Sequence, residues 1–281
     1  MSRPLPILSL YLLIIAFVIF FSSIVSAQPA HLGFDRNNYP GDDSLPTLHK
    51  HFGFAGYWLN NPPGEHQNTW SGKREVLLRN NFGFLVLFNG RLDAEILKAR
   101  KSRMTPIALG QKDAAAAITA AQHEHFPAHT ILFLDQEEGG RLLPEQSAYL
   151  FAWTEAIAAS SYLPGAYISG QPVSDGAGQT ITTAQNIREQ VVARHLHPIA
   201  LFIYQDACPP SNGCTLTPPP ITAAGISDIV AWQYAQSPRR PEITRSCAKT
   251  YASDGNCYVP DLPGLYVDLN VSLSPDPSHG R

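Results

Sequence analysis

Eight short apolar runs recur along this chain with helical or loop segments between them: His31 to Asp35, Phe54 to Leu59, Phe82 to Asn89, Thr130 to Asp135, Gly165 to Ser169, Ala200 to Gln205, Asp228 to Tyr234 and Leu265 to Asn270. Most are near-continuous rather than alternating, the pattern of parallel strands covered on both faces. Three intervening segments read as helices: Gln111 to Phe126, Pro144 to Ser161 and Thr183 to His195. The second opens on Pro-Glu and sets Leu150, Trp153 and Ile157 on one face. Between the sixth and seventh runs, Pro218-Pro219-Pro220 excludes a regular long helix. Strands alternating with helices predict an α/β fold, a single-domain (β/α)8 TIM barrel, with an open doubly wound sheet as the alternative.

The runs begin after a leader. One charge, Arg3, precedes an apolar stretch from Leu5 to Phe21, which ends in the small residues Val25-Ser26-Ala27. That order predicts a secretory signal peptide over residues 1–27, cleaved after Ala27, and an exported protein, secreted or held at the periplasm or cell envelope. A retained anchor helix is the other reading of the same stretch. Taking the 27 leader residues from 281 leaves 254, enough for one barrel over residues 28–271. Pro275, Pro277 and Gly280 mark residues 272–281 as a disordered tail.

Removing Arg3 with the leader takes the formal net charge from −3 to −4. A mildly acidic domain lacks the basic patch that nucleic-acid binding requires, and affinity for a glycan would come from a shaped groove rather than long-range steering. All four cysteines, Cys208, Cys214, Cys247 and Cys257, fall in the last third of the chain. An exported location makes disulfides the expected state, and the local pairing of Cys208 with Cys214 and of Cys247 with Cys257 would staple two short loops. Neither pair has zinc-ligand spacing, so no metal is expected. The histidines show no paired-ligand spacing, and there is no Gly-rich phosphate loop to hold a nucleotide cofactor. A serine-hydrolase elbow is also absent.

In a barrel of this class the active site gathers where the strands end, so polar residues terminating apolar runs are the candidates. Asp35 ends the first run, Asp135 the fourth with Glu137 and Glu138 just beyond, and Asp268 lies in the last; Gln205 and Asp206 end the sixth, and Gln233 lies in Trp232-Gln233-Tyr234. Residues two apart in an extended chain point the same way, so Asp135 and Glu137 are expected to face the barrel mouth together. Two carboxyl groups held close raise the proton affinity of one, which is what a general acid needs at neutral pH. Each acid also has a structural reading: Asp35 as a turn cap or partner of Arg36, Glu138 as a solvated residue or partner of Arg141, Asp268 as a backbone acceptor. Tyr57, Trp58, Tyr167, Trp232, Tyr234 and Tyr266 fall near strand ends, able to stack on sugar faces or to fill the barrel, whereas Tyr149 and Trp153 sit on a helix and read as core.

Taken in order, Gly33-Phe34-Asp35 with Tyr39-Pro40-Gly41, Leu134-Asp135-Gln136-Glu137, Pro164-Gly165-Ala166-Tyr167, Trp232-Gln233-Tyr234 and Val267-Asp268-Leu269-Asn270 resemble the glycoside hydrolase family 25 lysozymes. They are similar equally to the related glycoside hydrolase-like domain of unknown function found in exported bacterial proteins. The resemblance implies a hydrolase of β-linked N-acetylhexosamine glycan, with peptidoglycan as the polysaccharide partner, in a monomer without cofactor. Glu137 would be the general acid. Asp135 would orient the substrate's acetamido group or stabilise an oxocarbenium-like transition state, with retention through that acetamido group. Asp35 and Asp268 would complete the acidic floor, and Tyr57, Tyr167, Gln205, Trp232, Gln233 and Tyr234 would line the groove. Arg36-Asn37-Asn38 departs from the hydroxyl-rich turn of a lysozyme and favours the less characterised relative, and a glycan-binding barrel without turnover is the reading from another class.

Overall fold

The computed structural model describes residues 30–281, so the leader expected over residues 1–27 lies outside the described residues. Eight strands close a barrel: β1 (His31–Asp35), β2 (Phe54–Trp58), β3 (Gly83–Asn89), β4 (Ile131–Gln136), β5 (Leu163–Ser169), β8 (Ala200–Tyr204), β9 (Ala231–Ala235) and β10 (Asp268–Ser272). Two more, β6 (Val173–Ser174) and β7 (Thr180–Ile181), form a separate hairpin. Around the barrel run β1, β10, β9, β8, β5, β4, β3 and β2, which closes on β1. The helices are α1 (Leu45–Leu48), α2 (Arg74–Arg79), α3 (Asp93–Lys101), α4 (Pro106–His123), α5 (Pro144–Ala158) and α6 (Thr183–Arg194).

The unbroken apolar runs are buried because one side of each strand fills the barrel and the other meets a helix or loop. Gly33 faces the interior, where an added Cβ would come 2.1 Å from the Phe54 ring, and only a bare α-carbon lets that ring fill the floor. Outside, α5 buries Leu150, Trp153 and Ile157 completely, as the spacing predicts. Cutting Trp153 back to alanine would cost about 3–5 kcal/mol. Helix α4 begins five residues before the expected start because Thr105 caps it, its hydroxyl accepting from Ala108 N at 3.1 Å, and Pro106 fits the first turn. Between β8 and β9 the triple-proline segment carries only a short 3₁₀ turn, Ile221–Ala224.

One strand departs from the all-parallel expectation: β10 runs antiparallel to both β1 and β9. The connection after β9 holds one 3₁₀ stretch, Arg245–Thr250, and no α-helix. A parallel strand requires a crossover that returns the chain to the opposite end of the barrel, usually by a helix. Here the chain stays at the mouth and descends directly as β10.

Two further expectations are corrected. The disulfides join Cys208 to Cys247 and Cys214 to Cys257, across sequence separations of 39 and 43. The segments after β8 and β9 lie side by side, so each cysteine meets its partner on the neighbouring loop and not its close neighbour in sequence. Residues 272–281 are ordered, not a disordered tail. Ser278 slots between β3 and β4 at the barrel floor: its N–H donates to Phe84 O and its carbonyl accepts from Ile131 N, both at 2.8 Å, while its hydroxyl accepts from Val86 N at 2.8 Å. Phe84 N donates to Asp276 Oδ1 at 2.9 Å, and Arg74 Nη2 donates to the Gly280 carbonyl at 2.7 Å. Those bonds satisfy strand groups that would otherwise be orphaned, which outweighs the turn-forming composition.

Candidate functional site

The mouth is built around Asp35 at the end of β1. Its Oδ2 accepts from Gln233 Nε2 on β9 at 2.9 Å and from Asn270 Nδ2 on β10 at 2.7 Å. Gln233 Oε1 in turn accepts from the Tyr167 hydroxyl on β5 at 2.7 Å. A single hydrogen-bonded relay thus crosses the barrel, and its donors and acceptors fix the orientation of the Gln233 amide. Gly56 opposite leaves room for the acid, since a Cβ there would lie 2.4 Å from Asp35 Cβ. Burial raises the Asp35 pKa above the ordinary carboxylate value, against the pull of the two amide bonds.

Asp135, near the end of β4, is the partner of Tyr167 in the sheet register and is 6% exposed, its Oδ1 buried without a hydrogen-bond partner. Burial, then the charges of Glu137, Asp35 and Glu138, push its pKa well above the usual range. Glu137 follows the strand, with its carbonyl accepting from the Tyr204 hydroxyl at 2.6 Å. It stands exposed at the rim. Protein atoms crowding its carboxyl, followed by the charge of Asp35, raise its pKa, while the Arg240 guanidinium draws it down. Glu138 faces elsewhere: its Oε1 accepts from Asp93 N at 2.6 Å and so caps the start of α3. Arg141, considered as its partner, pairs with Asp175 through two bonds of 2.7 Å.

Asp268 begins β10 and stands opposite Asp35 in register. Its Oδ1 accepts from Ser237 N at 2.5 Å, and burial together with Asp35 pushes its pKa well up. Arg36, which the sequence offered as a partner for Asp35, has its guanidinium 5.7 Å over the Tyr266 ring centroid instead. Behind the mouth, fully buried Asp206 accepts from Arg240 and from Gln171 Nε2. The Arg240 guanidinium lies 5.1 Å from the centre of the Tyr204 ring.

Four of the six expected groove-lining residues lie outside the mouth. Tyr57 is turned toward the helices, where its hydroxyl donates to Glu124 Oε2 at 2.5 Å and its ring packs on Trp70, Phe84 and Phe126. Trp232 and Tyr234 flank inward-facing Gln233, so alternation sends both outward. Trp232 Nε1 donates to the Gln205 carbonyl at 2.8 Å and the Tyr234 hydroxyl to the Thr215 carbonyl at 2.7 Å. The Gln205 amide is spent on backbone, at Gly170 O and Ala207 N. Tyr167 and Gln233 remain. Asn270, Tyr204 and Arg240 join the mouth without having been singled out; Asn270 shares the face of Asp268 by its two-residue spacing, whereas Arg240 sits in an irregular loop with no periodicity to read.

Two hollows flank the acids. One, about 340 Å³, is lined by Asn89, Arg91, Asp135 and Glu137 among others; the second, about 320 Å³, is lined by Arg36, Asn37, Ser237, Tyr266 and Asp268 among others. Among the described residues no group of three or more His, Cys, Asp or Glu side chains is placed to hold a metal ion. None of their helices is long and apolar enough to cross a membrane. The arrangement suits proton transfer to a polar substrate held across the barrel end.

No family model matches the chain, and no curated protein does. Among solved structures the fold recurs in an uncharacterized protein of B. stearothermophilus, 17% identical with a TM-score of 0.51, covering 86% of this chain and 95% of that one. It recurs in the Tat-secreted protein Rv2525c of Mycobacterium tuberculosis, solved in complex with L-tartrate, 12% identical with a TM-score of 0.52, covering 88% of this chain and 97% of that one. The Clostridium perfringens spore cortex lytic enzyme SleM overlays more loosely, at a TM-score of 0.48 and 13% identity over 87% of this chain and 68% of its own, a likeness without weight for function. At these identities the first two comparisons establish a shared barrel fold and nothing finer.

Proposed function

We propose that the protein is an exported glycoside hydrolase acting on β-linked N-acetylhexosamine glycan, with peptidoglycan as the substrate that best fits. The observation that carries this reading is the convergence of Asp35, Asp135, Glu137 and Asp268 in one barrel mouth, each with its pKa raised. Of the four, Glu137 alone is exposed, so it is the group able to reach a glycosidic oxygen and protonate it. Asp135, with a free Oδ1, accepts the acetamido N–H, which turns that group's carbonyl oxygen toward C1 as the glycosidic bond breaks. Asp35 and Asp268 lie beneath a cationic transition state, whose developing charge favours their ionised forms, and Tyr167 with Gln233 holds Asp35 in place. The two disulfides fit an oxidising compartment outside the cytoplasm.

The test is release of reducing ends from purified peptidoglycan by the chain from Gln28, beside a Glu137→Gln variant. Removal of a general acid lowers the rate by about 10²–10⁴-fold, and a clear wild-type signal reduced that far supports the assignment. A wild type that retains the glycan in pull-down yet releases no ends would leave a binding barrel.

A further inference from the structure

Arg36 directly follows Asp35, and its backbone is fixed by two indoles. The Arg36 carbonyl accepts from Trp58 Nε1 and Trp70 Nε1, each at 3.2 Å, and Trp70 Nε1 also reaches the Asn37 carbonyl at 2.9 Å. From this rigid base the guanidinium lies over the half-exposed Tyr266 ring, and its Nε and Nη1 are buried with no hydrogen-bond partner. Buried donors without acceptors are rare and costly. Arg240 shows the contrast, for its guanidinium is bonded to Asp206. The two acids beside the same 320 Å³ hollow are already engaged: Glu65 accepts from Asn38 Nδ2 at 2.8 Å and Asp268 from Ser237 N at 2.5 Å.

We propose that the hollow between Arg36, Asn37, Ser237 and Tyr266 is a subsite for a sugar unit that carries a carboxylate. The guanidinium fork matches a carboxylate in shape and charge, and Tyr266, partly exposed and alongside, offers its ring to the apolar face of the sugar. The inference rests on the glycan reading above and narrows it to an acidic glycan. A carboxylate on a sugar has two sources, the lactyl ether of an N-acetylmuramic acid that carries no stem peptide or an oxidised C6 as in a uronic acid. Because the domain is mildly acidic overall, selection arises at this short-range contact and not by steering.

Calorimetric titration decides it, using the chain from Gln28 in a Glu137→Gln background that leaves the probes intact. The probes are N-acetylglucosaminyl-N-acetylmuramic acid, the same disaccharide with its carboxyl reduced to the alcohol, glucuronyl-N-acetylglucosamine, and neutral diacetylchitobiose. The expected result is binding of at least one acidic disaccharide about tenfold tighter than the neutral pair, the scale of one charge-assisted bond. Whichever acid binds tighter identifies the source. Arg36→Met, which keeps the stem, should erase the margin while leaving neutral affinity unchanged, and Arg36→Lys should keep part of it. Equal affinity for acidic and neutral probes, or a margin that survives Arg36→Met, overturns the subsite alone. Failure to bind any of the four overturns the glycan reading itself.

Discussion

Asp35 and Asp268 are direct partners across the antiparallel pairing of β1 with β10, two carboxyl groups on one face of the sheet where like charges repel. Neither is bonded to a cation: two side-chain amides hold Asp35 and a backbone N–H holds Asp268. Both acids bind protons more tightly in the folded chain than in the unfolded one, and so do Asp135 and Glu137.

The sign of the pH dependence follows. A carboxyl whose folded pKa is raised contributes stability that is complete below its unfolded pKa, near 4, and is lost as pH rises through the folded value. The acids with lowered pKa, Asp42, Glu155, Asp175 and Asp254, lie at or near the surface and act below that range. The thermal midpoint should therefore fall as pH rises above the ordinary carboxylate range. Asp135→Asn should flatten the fall and raise the midpoint at neutral pH, read by calorimetric melting. A wild-type midpoint that climbs instead would refute the assignment.

Arg240 lowers the proton affinity of Glu137, so neutralising it should let the acid stay protonated to higher pH. Removing Arg240 alone would strand buried Asp206, at a cost of about 3–5 kcal/mol. The double variant Arg240→Gln with Asp206→Asn avoids that. Its pH–rate profile for glycan hydrolysis should show the alkaline limb displaced upward, with an unmoved limb separating Arg240 from the acid.

The two tyrosines distinguish wall from mouth. Tyr57→Phe should lower stability by about 1–2 kcal/mol, because Glu124 loses a buried donor, and leave hydrolysis within about twofold of wild type. Tyr167→Phe releases the Gln233 amide that positions Asp35 and should cut the rate by about tenfold or more. Paired melting and rate measurements on both variants check this; a Tyr57→Phe enzyme as impaired as Tyr167→Phe would place Tyr57 in the groove after all.

Ser278 bonds to three strand groups at the floor. Ending the chain at Ser274 leaves Phe84 N, Val86 N and Ile131 N without their partners, at about 1 kcal/mol or more apiece. For a domain of this length the midpoint should drop by about 6–12 °C in a melting scan of the truncated chain. A midpoint within a degree of the full chain would mean the segment is ornamental.

The strands were legible because burial on both sides writes an unbroken apolar run. The same property hid which side chains point inward. With no alternation to read, Tyr57, Trp232 and Tyr234 were chosen by aromatic character, and all three lie in the wall. Parity was available only where a polar residue broke the run: Gln233 between Trp232 and Tyr234, Asp135 two before Glu137, Asp268 two before Asn270. Disulfide partners depend on two loops meeting over the barrel, which spacing within either loop does not encode. The final residues carry turn-forming composition, and their order comes from backbone groups that β3 and β4 leave open.

The reversal of β10 also decides how the molecule can be held. β1 rises from the floor and β10 returns to it, so Ala30 and the last ten residues lie at the end opposite the acids. A tether, tag or fused module joined at either place meets the barrel underneath, and the mouth stays turned toward an incoming polymer.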